Sequence, residues 1–515
     1  MKKTILALIA IIAMVYSVNA QKMSIENVYK VTLRNSGAIR QHSEVKGYYF
    51  FYVSDKVDKR TNEYTLRITD DNLTVLKDVK FTDSKHVTVL ESSFNGTDLI
   101  FLFYNDDERT LEYQVYGADG NAKFSYERDL SKKEKAYLES TYLAVNDEED
   151  TYKGLYPIEG AGFISNTPSR EDKDFTFELD FFGTNTKKQW SYTPTEGGKR
   201  FMGDYLGCSN GVVYLEILKY TSKMDQKPDS RLVGLSLESG KQLFDISTDT
   251  KYRFFPTTLS SLNNGDAFIF GEFFDPDANI VKANSRGFGF WKVDATGKIT
   301  FEKYLLWDID LGKYLNVSSS GKIEDFGYMY LQKMVPLADG SIYAIGEGFK
   351  KAASALGIAS QVMSMGNSNI SAVKIKVTNM ILIRFDKDFN VTDAKIYEKN
   401  SNNINLPSGA AYVSTAALGK AIKYEFGGFD YDYTQENNDK TSFTVCYSDY
   451  VRGKDYKGST FNSITYNDGK FTTDRINTKS DASRSALLPG KQGQVLILDY
   501  YKKQKRLDVH FEKLN

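Results

Sequence analysis

Polar turns and short apolar runs alternate along this chain in a repeating order. A polar or glycine turn leads into an apolar run at Lys46-Gly47 (YYFFYV), Asn95-Gly96 (TDLIFLFY), Glu159-Gly160 (AGFIS) and Asn210-Gly211 (VVYLEIL). The same sign recurs at Asn264-Gly265 (DAFIFGEFF), Asp339-Gly340 (SIYAIGEGF), Asp439-Lys440 (TSFTVCYS) and Gln492-Gly493 (QVLILDYY). Between these lie second polar turns flanked by strand-like residues: ITDDNLTVLKD, VYGADGNAKFS, FFGTNTKKQWS, LSLESGKQLFD, KVDATGKITFE, RFDKDFNVTDA and TYNDGKFTTD. Apolar and polar residues alternate in EYTLRIT, LEYQVYG and FTFELDFF, the period of a half-buried strand. Two hairpin signals per unit predict four strands per unit.

Repeated four-stranded units predict an all-β fold, a β-propeller of about eight blades, with seven as the alternative count. The units fall near 37–82, 83–132, 133–196, 197–249, 250–315, 316–400, 401–478 and 479–515. The last unit is short, and a strand at 28–34 (VYKVTLR) precedes the first. Pairing of that strand with the last unit would remove an unpaired sheet edge. The Ala-, Leu- and Met-rich stretch 350–365 predicts a helical insertion near 350–372 in the sixth unit, and Ala-rich 408–421 a short helix or loop.

Residues 1–20 have the form of a secretory signal peptide: Lys2 and Lys3, then an apolar run, then small residues at Val18-Asn19-Ala20. The expected mature chain, 21–515, is one propeller domain without a transmembrane segment. A formal net charge of −1 and the absence of a long basic run speak against a nucleic-acid partner. Cys208 and Cys446 fall in different units, which predicts two separate thiols.

The connections between second and third strands are long, at 165–174, 219–230, 274–286 and 448–458. Strand alternation sends them to one end of the sheets, where a propeller would carry its binding residues. Aromatic residues in the junctions between units are the candidate ligand-binding set: Tyr252, Phe254, Phe255, Phe326, Tyr328, Tyr424, Phe429 and Tyr431. Packing between neighbouring sheets is the competing role for them. Glu272 and Glu347 stand at equivalent places in two units and form the candidate acid–base pair for a glycosidic bond. Hydrogen bonding to backbone at a loop mouth is the plainer alternative for both. Asp275 and Asp277, in a long loop, are the candidate cation ligands, although Asp is also an ordinary turn former. His42, His86 and His510 lack zinc-ligand spacing, and no cofactor motif occurs.

The signal peptide, the Tyr- and Asn-rich strands and strand ends such as G-E-G-F resemble those of uncharacterised exported propeller-like proteins of Bacteroidota. That resemblance implies a Gram-negative periplasm or cell exterior and transfers no active residue. The expected function is non-enzymatic binding of a protein, peptide or glycan on the long-loop end, with a carbohydrate-active hydrolase as the alternative.

Overall fold

Asn210-Gly211 and Asp468-Gly469 turn the chain with both residues at positive φ (50° and 73°; 46° and 76°). That pair of conformations closes a two-residue hairpin whose twist matches its strands, and it favours Asn-Gly and Asp-Gly. The computed structural model describes residues 22–514, except 42, 140–153, 172–173, 185–187, 195–199, 223–226, 263–265, 355–369, 408–412, 425 and 479. Residues 1–20, where a signal peptide is expected from the sequence, lie outside the described part.

Hairpin follows hairpin, so the described strands form four-stranded antiparallel meanders. Six follow in order along the chain: 87–129, 155–192, 200–247, 253–306, 328–397 and 431–477. The 155–192 and 200–247 meanders form one continuous ladder only through a single parallel bridge, Phe175 to Arg200. Residues 402–407 add a further strand to the 328–397 sheet, beside the outer part of the strand Ile370–Phe385.

Contacts divide the chain into two compact units. The first contains the sheet built on Glu44–Lys56, Thr61–Asp70 and Val75–Ser84, together with the C-terminal sheet. In the latter, Lys22–Glu26 pairs antiparallel with Arg506–Lys513, Ile25 opposite Leu507. The terminal pairing expected from the sequence therefore exists, but through a different segment. Lys30–Val31 instead pairs with Val53 and Tyr52, and Leu33–Asn35 forms a 3-10 turn. Tyr48, Phe50, Leu496, Leu498 and Val509 form the core of this unit.

In the second unit, successive meanders bury their faces against one another. Ile164, Phe181 and Trp190 pack with Val213, Leu215 and Val233. Phe268, Phe288 and Phe290 pack with Ile381, Ile383 and Phe385. Tyr343, Ile345 and Leu382 pack with Phe443, Val445 and Tyr466. Four-stranded meanders stacked face to face by aromatic and aliphatic side chains are propeller blades, and the fold is a β-propeller.

Helices are few. Helix α1, Lys132–Leu138, starts at a capping box in which Ser131 and Glu134 satisfy each other's backbone N–H. Helix α2, Thr415–Tyr424, occupies the end of the Ala-rich stretch. Lys350–Ala353 continues a strand instead of beginning a helix, because it pairs with Val373–Lys376. Residues 355–369, where the remainder of that helix was expected, are outside the described part.

Candidate functional site

Three second strands, Val212–Tyr220, Ala267–Phe274 and Ile342–Ala353, carry a glutamate within a largely apolar run, Glu216, Glu272 and Glu347, and Glu91 lies on the first strand Val87–Phe94. Their surroundings decide what each can do.

Glu347 is fully buried. Its carboxylate accepts the backbone N–H of Asp430 (3.0 Å to Oε2) and of Tyr431 (3.2 Å), where the next meander begins. The Lys399 ammonium is 2.9 Å from Oε1, and its side chain is also fully enclosed. Burial pushes the Glu347 carboxyl up, and Lys399 opposes that shift. Glu91 has a parallel role, accepting the N–H of Gly154 (2.7 Å) and of Leu155 (2.6 Å) at the start of its following meander. These carboxylates tie one blade to the next. Glu347 cannot reach a ligand, which corrects its assignment as half of an acid–base pair.

Glu272 differs. It is half-buried, lies opposite Phe255 and Phe288 on its two neighbouring strands, and is pushed up to about 7 by burial. The Ser285 hydroxyl opposes that shift only in part. A carboxyl near 7 without a second free carboxylate beside it does not form a glycosidase pair.

Glu216 is buried opposite Asp204, and Lys420 on helix α2 reaches both. Lys420 also lies 4.9 Å from the ring centre of Phe255. Burial raises the Glu216 carboxyl to about 7, with Lys420 acting against it and Asp204 with it. Helix α2 is fixed on other sides by Ser414, whose hydroxyl donates to Ile280 O at 2.7 Å, and by Leu418 and Ile422 packed on Phe349 and Ile375. It therefore spans the second-strand ends of three successive meanders.

Beyond Asp204, alternate residues of the same strand point the same way: Met202, then Arg200. Their strand partners are Leu218 and Tyr220. The Arg200 guanidinium lies 5.2 Å from the centre of the Tyr220 ring, and its Nη2 is 3.7 Å from Met202 Sδ. Met202 is 42% exposed, which makes it an unusual surface residue. Across the single parallel bridge, the Phe175 ring has Arg170 at 4.8 Å and Tyr137 of helix α1 at 4.7 Å. Two arginine–aromatic pairs, a tyrosine and an exposed methionine thus flank this bridge as a mixed shelf, the Arg170–Phe175 pair on one meander and the Arg200–Tyr220 pair on the next. Sequence inspection missed it. Its members come from four strands and a helix, and only the bridge at Phe175 and Arg200 joins them.

The aromatic residues expected to bind ligand are split by the structure. Phe254, Phe255 and Phe326 are 0%, 3% and 1% exposed and belong to cores, because adjacent blades bury the rings at their junctions. Phe254 stacks on Trp291 at 4.6 Å. Tyr252 is clamped between Phe273 and Tyr304 (4.8 and 4.9 Å). Tyr328 lies beside Phe349, and Tyr431 donates to or accepts from Thr434 at 2.9 Å. Phe429 stacks on Tyr330 at 5.3 Å, and Tyr424, the last residue of helix α2, lies beside Tyr330, half-buried. Asp275 pairs with Arg286 at 3.6 Å, and Asp277 holds a turn at φ 62°. Among the described residues, no group of three or more His, Cys, Asp or Glu could hold a metal ion. Neither Cys208 nor Cys446 is in a disulfide, and burial raises the Cys208 thiol to about 11.

A family model matches residues 1–515. The chain belongs to DUF6770, a family of unknown function. No curated protein matches the sequence. Among solved structures, this DUF6770 member is similar to apo prolyl oligopeptidase B from Galerina marginata, at 10% identity and a TM-score of 0.38. That match covers 92% of this chain and 57% of the other, so the chain spans little more than half the length of the peptidase. It is also similar to the β-propeller domain of the Trilobed protease from Pyrococcus furiosus (7% identity, TM-score 0.38, covering 87% and 96%). A third match is the WD40 domain of SCAP from fission yeast (7%, 0.34, covering 95% and 97%). No helix among the described residues is long and apolar enough to cross a membrane.

Proposed function

We propose that this protein is an exported, non-enzymatic binding scaffold whose Arg170–Phe175–Arg200–Tyr220–Met202 shelf captures a peptide segment of a partner protein. The observation that carries this reading is the shelf's composition. Arginine, aromatic and methionine side chains are those over-represented at protein interfaces, and here they lie together at the second-strand end of two blades. A sugar ring would need an open aromatic face. The Phe175 and Tyr220 faces are already occupied by guanidinium groups, so a peptide suits the shelf better than a glycan. The guanidinium groups favour acidic or carbonyl-rich sequences. Export rests on the leader-like residues 1–20.

The test is a peptide array and a glycan array probed with the mature chain, repeated with an Arg200→Ala/Tyr220→Ala variant. The expected result is capture of peptides with acidic character, lost in the variant at unchanged melting temperature. Selective glycan capture, or peptide capture untouched by the substitutions, would overturn the assignment of the shelf.

A further inference from the structure

Two carboxyl groups, Glu347 and Asp430, contact the enclosed Lys399, and Asp432 and Asp449 lie near Asp430. Its Nζ lies 2.5 Å from Asp430 Oδ2 and 2.9 Å from Glu347 Oε1. The site is closed, since the side chains of Lys399 and Glu347 have no exposure and that of Asp430 retains 17%. Lys420 offers a contrast within the same protein. It also sits between two carboxylates, yet the Asp204 side chain there is 44% exposed, so that ion pair stays open to solvent. The Lys399 pair is far more enclosed, and charges taken out of water cost several kcal/mol each.

We infer that Lys399 and Asp430 condense to an intramolecular isopeptide bond, with the Glu347 carboxyl relaying the protons.

The atoms are placed for it. Lys399 is fixed by its backbone N–H donating to Asn379 Oδ1 (3.2 Å), and Asp430 by its N–H donating to Glu347. Within the ion pair, an ammonium proton passes to carboxylate, leaving a neutral amine and a carboxylic acid. Nζ then attacks Asp430 Cγ and forms the C–N bond. Asp430 Oδ1, which carries the developing negative charge, receives the Asn402 Nδ2–H at 3.4 Å. The protonated Glu347 delivers its proton to Oδ2 while its other oxygen takes the surplus proton from Nζ. The Cγ–Oδ2 bond breaks, water leaves, and Glu347 ends as it began. Nothing is oxidised or reduced, and no co-reactant is required. Holding amine and carboxyl in contact replaces the bimolecular encounter that makes this condensation slow in water.

Electrostatics supports a protonated Glu347. Burial raises its carboxyl and that of Asp430, and Asp432 is lifted to about 7 by burial, its Ser448 bond opposing and the neighbouring Asp430 and Glu347 adding. Asp449 accepts from Asn400 at 3.1 Å and adds to the negative charge near Asp430. Lys423 is the other cation acting on this group. Three neighbouring carboxyls are thus all pushed up, which favours the protonated form in this group.

The test is mass spectrometry of the folded full-length product after denaturation, with a tryptic digest. The expected digest contains residues 396–420 joined to residues 424–440, lighter than their sum by one water, with no cleavage after Lys399. Lys399→Arg should give three linear products, 396–399, 400–420 and 424–440. Asp430→Asn should form the same link with loss of ammonia in place of water, and Glu347→Gln should leave the peptides unlinked. Cleavage after Lys399 and an unlinked 424–440 peptide from the wild-type protein would overturn the inference. That result needs no variant, so a substitution that fails to fold does not blunt the test. It is also independent of the peptide-binding shelf, whose residues lie on other meanders.

Discussion

Glu272 gives the sharpest quantitative expectation. Its carboxyl moves from an ordinary 4.5 to about 7, with burial as the main cause. One pKa unit corresponds to about 1.4 kcal/mol, so ionising this group in the folded protein costs up to about 3 kcal/mol. Partial solvent contact reduces that to about 2 kcal/mol, because Glu272 is half-buried. The direction follows from linkage. At pH below about 4.5 the group is protonated in both folded and unfolded chains, and its preference for the folded interior is fully present. As the pH rises to 7, the unfolded chain gives up its proton first, and the contribution is lost as the folded carboxyl ionises. Glu272→Gln is close to isosteric, can still bond to Ser285, and has no charge to bury. The variant should match the wild type at pH 4 and exceed it by about 2 kcal/mol at pH 8. Urea unfolding at the two pH values measures this, provided the slopes with denaturant agree. Equal stability at pH 8, or a gain of the same size at both pH values, would refute the burial argument.

Other expectations follow from the braces and close contacts. Glu91→Ala strips two N–H groups at the start of the 155–192 meander and should cost about 2–4 kcal/mol by chemical unfolding, with Glu91→Gln recovering part of the loss. Lys420→Met leaves Asp204 and Glu216 without their cation. It should destabilise by about 3–5 kcal/mol at pH 8, and by clearly less at pH 5 where Glu216 takes up a proton, in thermal melts at both values. Gly271→Ala would set a Cβ 2.0 Å from the Phe255 carbonyl oxygen, inside a paired strand. A loss of about 3 kcal/mol or failure to fold is expected, and a neutral effect in a melting experiment would contradict the strand pairing.

Much of the blade pattern was legible because its information is local. The Asn210-Gly211 and Asp468-Gly469 turns require positive φ, and the runs between turns alternate with period two, so strand ends could be placed within a few residues. The terminal pairing was legible in kind but not in register. KMSIE and VYKVTLR are both short and of mixed polarity, and only the core around Leu507 and Val509 selects Ile25 as the inward residue. The stretch 350–353 looked helical by propensity, yet a ladder with Val373–Lys376 overrides a preference worth a few tenths of a kcal/mol per residue.

Site chemistry was less legible. Glu347 and Glu272 read as equivalent in the sequence, yet one is a buried brace and the other a half-buried acid. The difference lies in Lys399 and the N–H groups of Asp430 and Tyr431, which are distant in sequence. Aromatic junction residues such as Phe254 and Phe326 read the same whether they face a ligand or a neighbouring blade, since both environments demand a large apolar ring.

From its residues alone, this chain specifies repeated four-stranded sheets, since turn chemistry and side-chain alternation act between near neighbours. Which carboxylates meet lysines, which rings are sealed in cores, and which arginines and aromatics share one shelf were settled only when distant strands packed. Burial and charge pairing depend on what lies across a contact, and that neighbour is chosen by the tertiary fold.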